Sequence, residues 1–371
     1  MKMNFVVPCL MGVESLIADE LKTIGAEEVR AENARVLFSG DEHILARANI
    51  CCRYAERIQI LIGSFKALTF EELFQGTKAL PWEEWIGKTA AFPVKGYSLN
   101  SKLFSVRDCQ AIIKKAVVER LKASYKLPWF EETGPAYQIQ FSIMKDVVTL
   151  VIDTTGMGLH KRGYRLKANE APIKETLAAS LCSLARLRPY HTLYDPLCGS
   201  GTILVEGAML ALNMAPGVNR HFAAEAFPQI PETVFKEERE RAKDLVITDA
   251  SFEAYGSDIS AETIEVAKEN ARRAGVYDRI HFSVADVKDF KRLTDKGTVI
   301  CNPPYGERLM DVQEAEELYK VLGNVFQRER GWSYSIISPS EDFEQLYGRK
   351  ADKRRKLYNG MIKCQFYMYF K

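Results

Sequence analysis

The chain has 371 residues with 51 basic and 49 acidic side chains, a formal net charge of +2, and at roughly 100–200 residues per domain that length implies two or three domains. A hydrophobic fraction of 47% with 27% charged residues excludes a mainly disordered chain, and no run approaches the ~18 apolar residues of a membrane-spanning helix. Met1 to Glu20 lacks the basic start, apolar centre and cleavage site of a secretory signal, so a cytosolic chain with no membrane association is expected.

Up to about residue 155 short elements alternate. Lys2 to Pro8 reads as a strand, Val13 to Ile24 as an amphipathic helix closed by Gly25, Val29 to Phe38 as a strand or strand pair, and His43 to Cys52 as a helix. Arg57 to Phe65 is strand-like, and Thr69 opens a helix with Glu71 and Glu72 in its first turn. Thr89 to Val94 is apolar and extended. Val106 to Leu121 is a periodic helix, and Tyr137 to Met144 and Val147 to Ile152 are strands joined at Lys145-Asp146. This is α+β material in two small lobes.

Beyond it, strand and helix alternate as in a parallel sheet. Tyr190 to Tyr194 leads through Asp195 and a glycine turn into a helix from Thr202 to Leu212. Ala254 to Gly256 leads to Asp258, with Ser260 capping the helix Ala261 to Ala274. Ile280 to Val284 precedes Asp286, and Thr298 to Cys301 precedes Asn302. Helix Glu314 to Arg328, strand Tyr334 to Ser338 and a hairpin of type I′ around Asn359-Gly360 complete the chain. Four strands thus end in polar residues on one side of the sheet, where open α/β sheets bind ligands. Asn213 to Asp249 reads as an inserted helical excursion, in which the sign-alternating Lys236 to Asp244 is expected to be an exposed helix with no partner. The eight cysteines form no C-x-x-C pair and no zinc-type spacing, which predicts buried, reduced thiols and no metal.

Three strings carry chemistry. In Asp195-Pro196-Leu197-Cys198-Gly199-Ser200-Gly201 the glycines permit a tight turn and close approach of backbone to ligand at a helix start. Thr202 follows where a P-loop has lysine. Asp258 is placed to bind a ribose diol, yet lies further from the turn than the ~20 residues of a dinucleotide fingerprint, which disfavours NAD. In Asn302-Pro303-Pro304-Tyr305, followed by Gly306, two prolines fix the backbone so that the Pro303 carbonyl can stand beside the Asn302 side-chain oxygen. Two neutral acceptors side by side suit one amino group with two hydrogens. Tyr305 offers a flat face for stacking a base, worth ~1–3 kcal/mol.

Asn302 to Tyr305 resembles the catalytic motif of class I S-adenosylmethionine (SAM)-dependent amino-methyltransferases. The whole chain resembles the THUMP-domain RNA methyltransferases, in particular the RlmL-like bacterial enzymes that make N2-methylguanine in large-subunit ribosomal RNA. Supporting strings are Ser101-Lys102-Leu103-Phe104-Ser105, Leu159-His160-Lys161-Arg162-Gly163-Tyr164-Arg165 and Ala171-Pro172-Ile173-Lys174-Glu175-Thr176-Leu177-Ala178. The resemblance implies an α/β chain: a ferredoxin-like α+β lobe (1–60), a THUMP RNA-binding domain (61–155), a basic linker (156–170) and a Rossmann-like methyltransferase domain (171–371) whose last strand is antiparallel. It implies SAM as cofactor, held by Asp195, Cys198, Gly199, Gly201, Asp258, Ile259, Asp286 and Asn302, with Lys174 and Thr176 at the methionine end. Asn302, Pro303 and Tyr305 are the implied catalytic residues, and His160 reads as a structural hydrogen-bonder. Asp258 and Asp286 also have a plainer reading as helix-start or turn acids.

Three basic zones are candidates for RNA capture. Ser101 to Lys126 has seven basic residues against Asp108 and Glu119; Lys161 to Lys167 has no acid; Arg349 to Lys356 has six basic residues against Asp352. Lys102, Lys114, Lys115, Lys161, Arg162, Arg165, Arg354 and Arg355 are the expected contacts, with Tyr97, Phe104 and Tyr164 in or near them. Any one zone could instead be a solvated face. The expected partner is RNA, as 23S rRNA or a ribosome-assembly particle. The same Asn-Pro-Pro-Tyr serves N6-adenine and glutamine methylation, and a catalytically retired RNA-binding protein is the alternative of another class; the THUMP-like arm argues against the former and the intact site residues against the latter.

Overall fold

Two seven-stranded sheets organise the residues that the computed structural model describes, 2–165, 172–305 and 311–370. Lys167, Ala171 and Gly306 of the motifs above lie outside the described residues. The first sheet and its helices comprise β1 (Met3–Pro8), α1 (Glu14–Thr23), β2 (Glu27–Glu32), β3 (Arg35–Gly40), α2 (Glu42–Cys51), β4 (Gln59–Lys66), α3 (Phe70–Lys78), β5 (Val94–Leu99), α4 (Val106–Tyr125), β6 (Ile139–Met144) and β7 (Val147–Asp153). Its strand order is β2-β3-β1-β4-β7-β6-β5. The boundary expected at residue 60 falls inside β4, which pairs with β1 on one side and β7 on the other, so the two lobes share one sheet. Phe5, Ile60, Ile152 and Ile139 stand side by side across it, all buried on the helix-covered face.

Local chemistry sets the helix starts. Asp41 caps α2 by accepting the Ile44 N–H at 2.9 Å, and Thr69 with Glu72 forms a complete capping box on α3. One strand is displaced from its expected place. The apolar stretch 89–94 is irregular chain burying Ala90 and Phe92, and the ladder begins only at Val94, because β5 alternates inward Val94, Gly96 and Ser98 with outward Lys95, Tyr97 and Leu99.

The second sheet follows with α5 (Glu175–Leu184), β8 (Thr192–Asp195), α6 (Thr202–Ala211), α7 (Glu232–Asp244), β9 (Glu253–Asp258), α8 (Ala261–Arg273), β10 (Ile280–Val284), β11 (Gly297–Cys301), α9 (Val312–Val325), β12 (Trp332–Ser338), α10 (Phe343–Tyr347), β13 (Lys353–Asn359) and β14 (Ile362–Phe370). Its order is β10-β9-β8-β11-β12-β14-β13. The first five strands of that order are parallel, and β14 is antiparallel to both β12 and β13. The order reverses beside β8, so the crevice at the carboxyl ends of β8 and β11 is the topological switch point. In the last hairpin only Gly360 has positive φ (+64°), one residue rather than the two of the type I′ turn expected there.

The inserted excursion joins the halves. Gly217 N–H donates to Ile50 O at 2.8 Å, Ala224 N–H to Thr154 O at 3.0 Å, and Phe227 stacks on Tyr137. Helix α7, expected to be exposed and unpartnered, packs on α2 instead. Its Glu238 is buried and accepts from Arg47 Nε at 2.6 Å, with His43 Nδ1 at 2.9 Å. Sign alternation described its outer face; the inner face carries Val234, Phe235 and Ala242.

Candidate active site

The carboxyl ends of β8, β9 and β11 bring the motif residues together. Asp195 ends β8, and its Oδ1 accepts the Leu197 N–H at 3.2 Å. Cys198 N–H donates to Ser257 O at 2.9 Å, and Gly201 N–H to Cys198 O at 2.8 Å. Gly199 and Gly201 sit at φ +51° and +78°, where side chains are strained. A Cβ on Gly201 would press on Ala267 of α8, whereas one on Gly199 would meet nothing within 4 Å. Gly199 therefore leaves open space at the turn.

Asp258 is tied to that turn: its Oδ2 accepts the Gly199 N–H at 3.2 Å and its Oδ1 the Ser260 N–H at 3.0 Å. Ser260 caps α8, as its place in the sequence predicts. Ile259 is 72% exposed, an isoleucine with its side chain in solvent beside the acid. Asp286 caps the single turn after β10 by accepting the Lys288 N–H at 3.0 Å, and stays half-exposed. The Cys198 side chain is buried against Gly256 of β9, so its share in any ligand contact is through the backbone.

Asp195 is 1% exposed, and no hydrogen bond to it from a cationic side chain exists among the described residues. Burial, with the Asp258 charge adding to it, pushes its carboxyl up to about 8, against one N–H bond that favours the anion. The unfolded chain releases this proton near pH 4, so the stabilising contribution is full below that pH and is lost as pH rises through about 8. Asp195→Asn keeps the acceptor for Leu197, and its denaturant-unfolding stability is expected to fall less between pH 5 and 8 than that of the wild-type chain.

Asn302 follows β11 and is half-buried. The Tyr305 hydroxyl donates to Asn302 Oδ1, and Asn359 Nδ2 donates to the Tyr305 oxygen at 3.4 Å. Tyr305 is partly buried against the core, and burial raises its phenol well above its usual range. A hydroxyl at such depth requires partners, and the two asparagines supply them. The sequence marks Asn359 only as part of the terminal hairpin turn, and nothing local announces its contact with Tyr305.

Lys174 and Thr176 both engage Glu56 of the amino-terminal half. Thr176 Oγ1 donates to Glu56 Oε1 at 2.8 Å, and Lys174 Nζ pairs with Glu56 Oε2 at 3.3 Å. Burial alone would raise the Glu56 carboxyl, but His160, Lys174 and Thr176 together hold it at about 2. These contacts join the methyltransferase domain to the amino-terminal half. His160 stands beside the same carboxylate, its Nδ1 3.4 Å from Glu56.

The expected RNA contacts divide. Lys102, Lys115, Lys161 and Arg354 are exposed. Arg162 is not: it is buried, paired with the buried Glu206 at 3.3 Å, and its Nη1 donates to Leu159 O at 2.8 Å. Arg165 pairs with Glu175 at 2.9 Å and donates to Thr202 Oγ1 at 3.2 Å. The described part of the basic linker is therefore an internal clasp, in which Tyr164 is also buried and donates to Glu206 at 3.1 Å. Lys114 is committed to Glu132 and to the Phe92 ring, and Arg355 to Gly12 O at 2.7 Å. Excess charge in these strings satisfies acids and carbonyls distant in sequence. Glu206, an acid inside the apolar run Thr202 to Ala211, was the visible sign of a buried partner.

The residues fit the donor that the resemblance implies. Asp258 retains lone pairs for a ribose diol, Ile259 gives an apolar ledge for a purine, and Asp195 gives a buried carboxyl that a bound cation would draw into its ionised form. No group of three or more His, Cys, Asp or Glu among the described residues could hold a metal.

Comparison with known proteins agrees with this geometry. Residues 162–368 match the RMKL-like methyltransferase domain, residues 4–59 the RlmL ferredoxin-like domain and residues 67–153 the THUMP domain. The chain is 42% identical over 371 residues to the Bacillus subtilis (strain 168) protein named "Putative RNA methyltransferase YpsC", covering 100% of this chain and 96% of that protein. A structure described as a predicted N6-adenine-specific DNA methylase, from Listeria monocytogenes str. 4b F2365, is 45% identical with a TM-score of 0.94, covering 100% of this chain and 96% of its own. A structure described as "SMU.472, a putative methyltransferase complexed with SAH" is 41% identical with a TM-score of 0.94, covering 100% of this chain and 98% of its own. The chain belongs to the RlmL-like family of methyltransferases, with a ferredoxin-like lobe and a THUMP domain preceding its methyltransferase domain.

Proposed function

We propose that this protein methylates an exocyclic base amine in RNA, with guanine N2 of 23S rRNA as its target, free or within a ribosome-assembly particle in the cytoplasm. The observation that carries the reading is Asn302-Pro303 at the end of β11, across the switch point from Asp195 and Asp258, in a chain that also carries a THUMP domain. The naming of YpsC as an RNA methyltransferase supports RNA over DNA.

The cofactor is SAM, which supplies an electrophilic methyl group on a sulfonium. Asp258 would accept from the ribose hydroxyls, Ile259 and Asp286 would border the adenine, and Asp195, largely protonated at neutral pH, would ionise only against the positive charge of the bound cofactor. Asn302 Oδ1 and the Pro303 carbonyl accept the two N–H groups of the target amine. Oδ1 has two lone pairs, so the Tyr305 hydroxyl can keep one while the amine takes the other. A base amine is a poor nucleophile because its lone pair is delocalised into the ring. Holding both hydrogens favours a more tetrahedral nitrogen with its lone pair directed at the methyl carbon. Such positioning supplies up to ~7–11 kcal/mol. The proton leaves after transfer, so no strong base is required. A paired target is first extruded from its stack, which costs a few kcal/mol.

The test is transfer of tritiated methyl from SAM to 23S rRNA, tRNA and genomic DNA, all from a strain lacking the gene. Label in 23S rRNA, recovered as N2-methylguanosine, is expected; label in DNA alone overturns the reading.

A further inference from the structure

The face of the first sheet opposite its helices carries a patch that neither methyl transfer nor the joining of the two halves uses. Gly76 of α3 rests on Phe65 of β4, which fixes the helix-covered side. Alternation then turns Ser64 and Lys66 of β4, and Lys95, Tyr97 and Leu99 of β5, to the other side. The register sets Tyr97 beside Ser142, Leu99 beside Met144, Met144 beside Val147, and Val147 beside Lys66. Tyr97 Oη lies 3.9 Å from Met144 Sδ, so both side chains share this face. Tyr97 is 49% exposed, Leu99 53%, Met144 48% and Val147 44%.

Cations frame this apolar ledge. Lys66, Lys95, Lys102 and Lys145 are all exposed, and none of them forms an ion pair among the described residues. Of the acids close by, Asp146 accepts the Lys102 backbone N–H at 2.7 Å and so pins the loop after β5, and Asp153, which feels the Lys95 charge, is buried and paired with Arg57. An aromatic ring on a sheet, aliphatic neighbours and unpaired lysines around them match a strand of unstacked bases with its phosphates outward. An A-form duplex hides its base faces and gives such a ring nothing to stack on.

We propose that this face is a platform for single-stranded RNA, separate from the methyl-transfer site: a base stacks on Tyr97, its neighbour lies over Leu99 and Met144, and Lys66 and Lys95 meet the phosphates. It rests on the reading of the substrate as RNA. Duplex segments of the same RNA are left to other surfaces, among them the exposed Lys115 and Lys161.

The experiment is fluorescence anisotropy of full-length protein with a labelled 12-nucleotide oligouridine and a 12-base-pair RNA duplex. Tyr97→Ala is expected to weaken oligouridine binding roughly 5- to 100-fold, with Tyr97→Phe near wild type. Its effect on the duplex is expected to be small. Lys66→Gln with Lys95→Gln is expected to flatten the log–log salt slope by about 1.4. These side chains are exposed, and unchanged thermal midpoints verify folding. Equal oligouridine affinity of wild type and Tyr97→Ala overturns the platform and leaves the patch as a protein-docking surface. Binding of neither RNA by the wild-type protein overturns the RNA reading itself, and the platform with it.

Discussion

Asn302→Ala is expected to lower turnover at least about 100- to 1000-fold, the loss typical when one preorganised hydrogen-bonding group leaves an active site, while SAM affinity stays near wild type. The Asn302 oxygen is one of two acceptors proposed for the target amine, whereas the cofactor contacts proposed for Asp195, Asp258 and Ile259 are untouched. The substitution also removes the acceptor of the Tyr305 hydroxyl, which keeps Asn359 as a partner. A stability loss of about 1–3 kcal/mol is the upper range for such a hydroxyl, so thermal unfolding separates misfolding from lost chemistry. Calorimetric SAM binding and single-turnover methyl transfer are the paired measurements. A large loss of SAM affinity in a folded variant sinks the role given to Asn302.

Arg162→Ala is expected to destabilise the fold by about 3–5 kcal/mol, because it leaves Glu206 as an uncompensated buried charge. The salt dependence of RNA binding by the protein that remains folded is expected not to change. Arg162→Met with Glu206→Leu removes both charges and should recover much of that loss, since apolar replacement of a whole buried pair is often neutral. Denaturant unfolding of the three chains measures this directly. If Arg162→Ala unfolds like the wild type but binds RNA more weakly, Arg162 is an RNA contact after all.

These two residues show what the sequence makes legible and what it hides. Asn302 could be read because its neighbours are local: an apolar strand before it, two prolines after it, and three earlier strands ending in Asp195, Asp258 and the turn at Asp286. Parallel strands place their carboxyl ends on one edge, so a one-dimensional pattern became a site. The burial of Arg162 is hidden because its partner is 44 positions away and its own string holds no acid. The same reason hid Glu238 beneath α7 and Glu56 beneath Lys174 and Thr176. Charge in a string reports composition, and only tertiary pairing decides which members face solvent.

Register was the other hidden quantity. The amino-terminal lobes look separate in sequence, but β4 extends both ladders, and nothing local in Gln59 to Lys66 marks it as shared. Strand β5 was placed early because its outward Lys95 and polar inward Ser98 dilute the apolar signal that residues 89–94 carry strongly. The chemistry of the Tyr305 ring is legible in the motif, whereas the partners of its hydroxyl are not. That hydroxyl bridges Asn302 to the terminal hairpin, a contact no motif announces.

The most direct test of RNA amine methylation is mass spectrometry of nucleosides from 23S rRNA of a deletion strain against its parent. Loss of one N2-methylguanosine, restored by the wild-type gene and not by Asn302→Ala, is the expected result. An unchanged rRNA profile together with a lost methyl group in tRNA or DNA would contradict the assigned target.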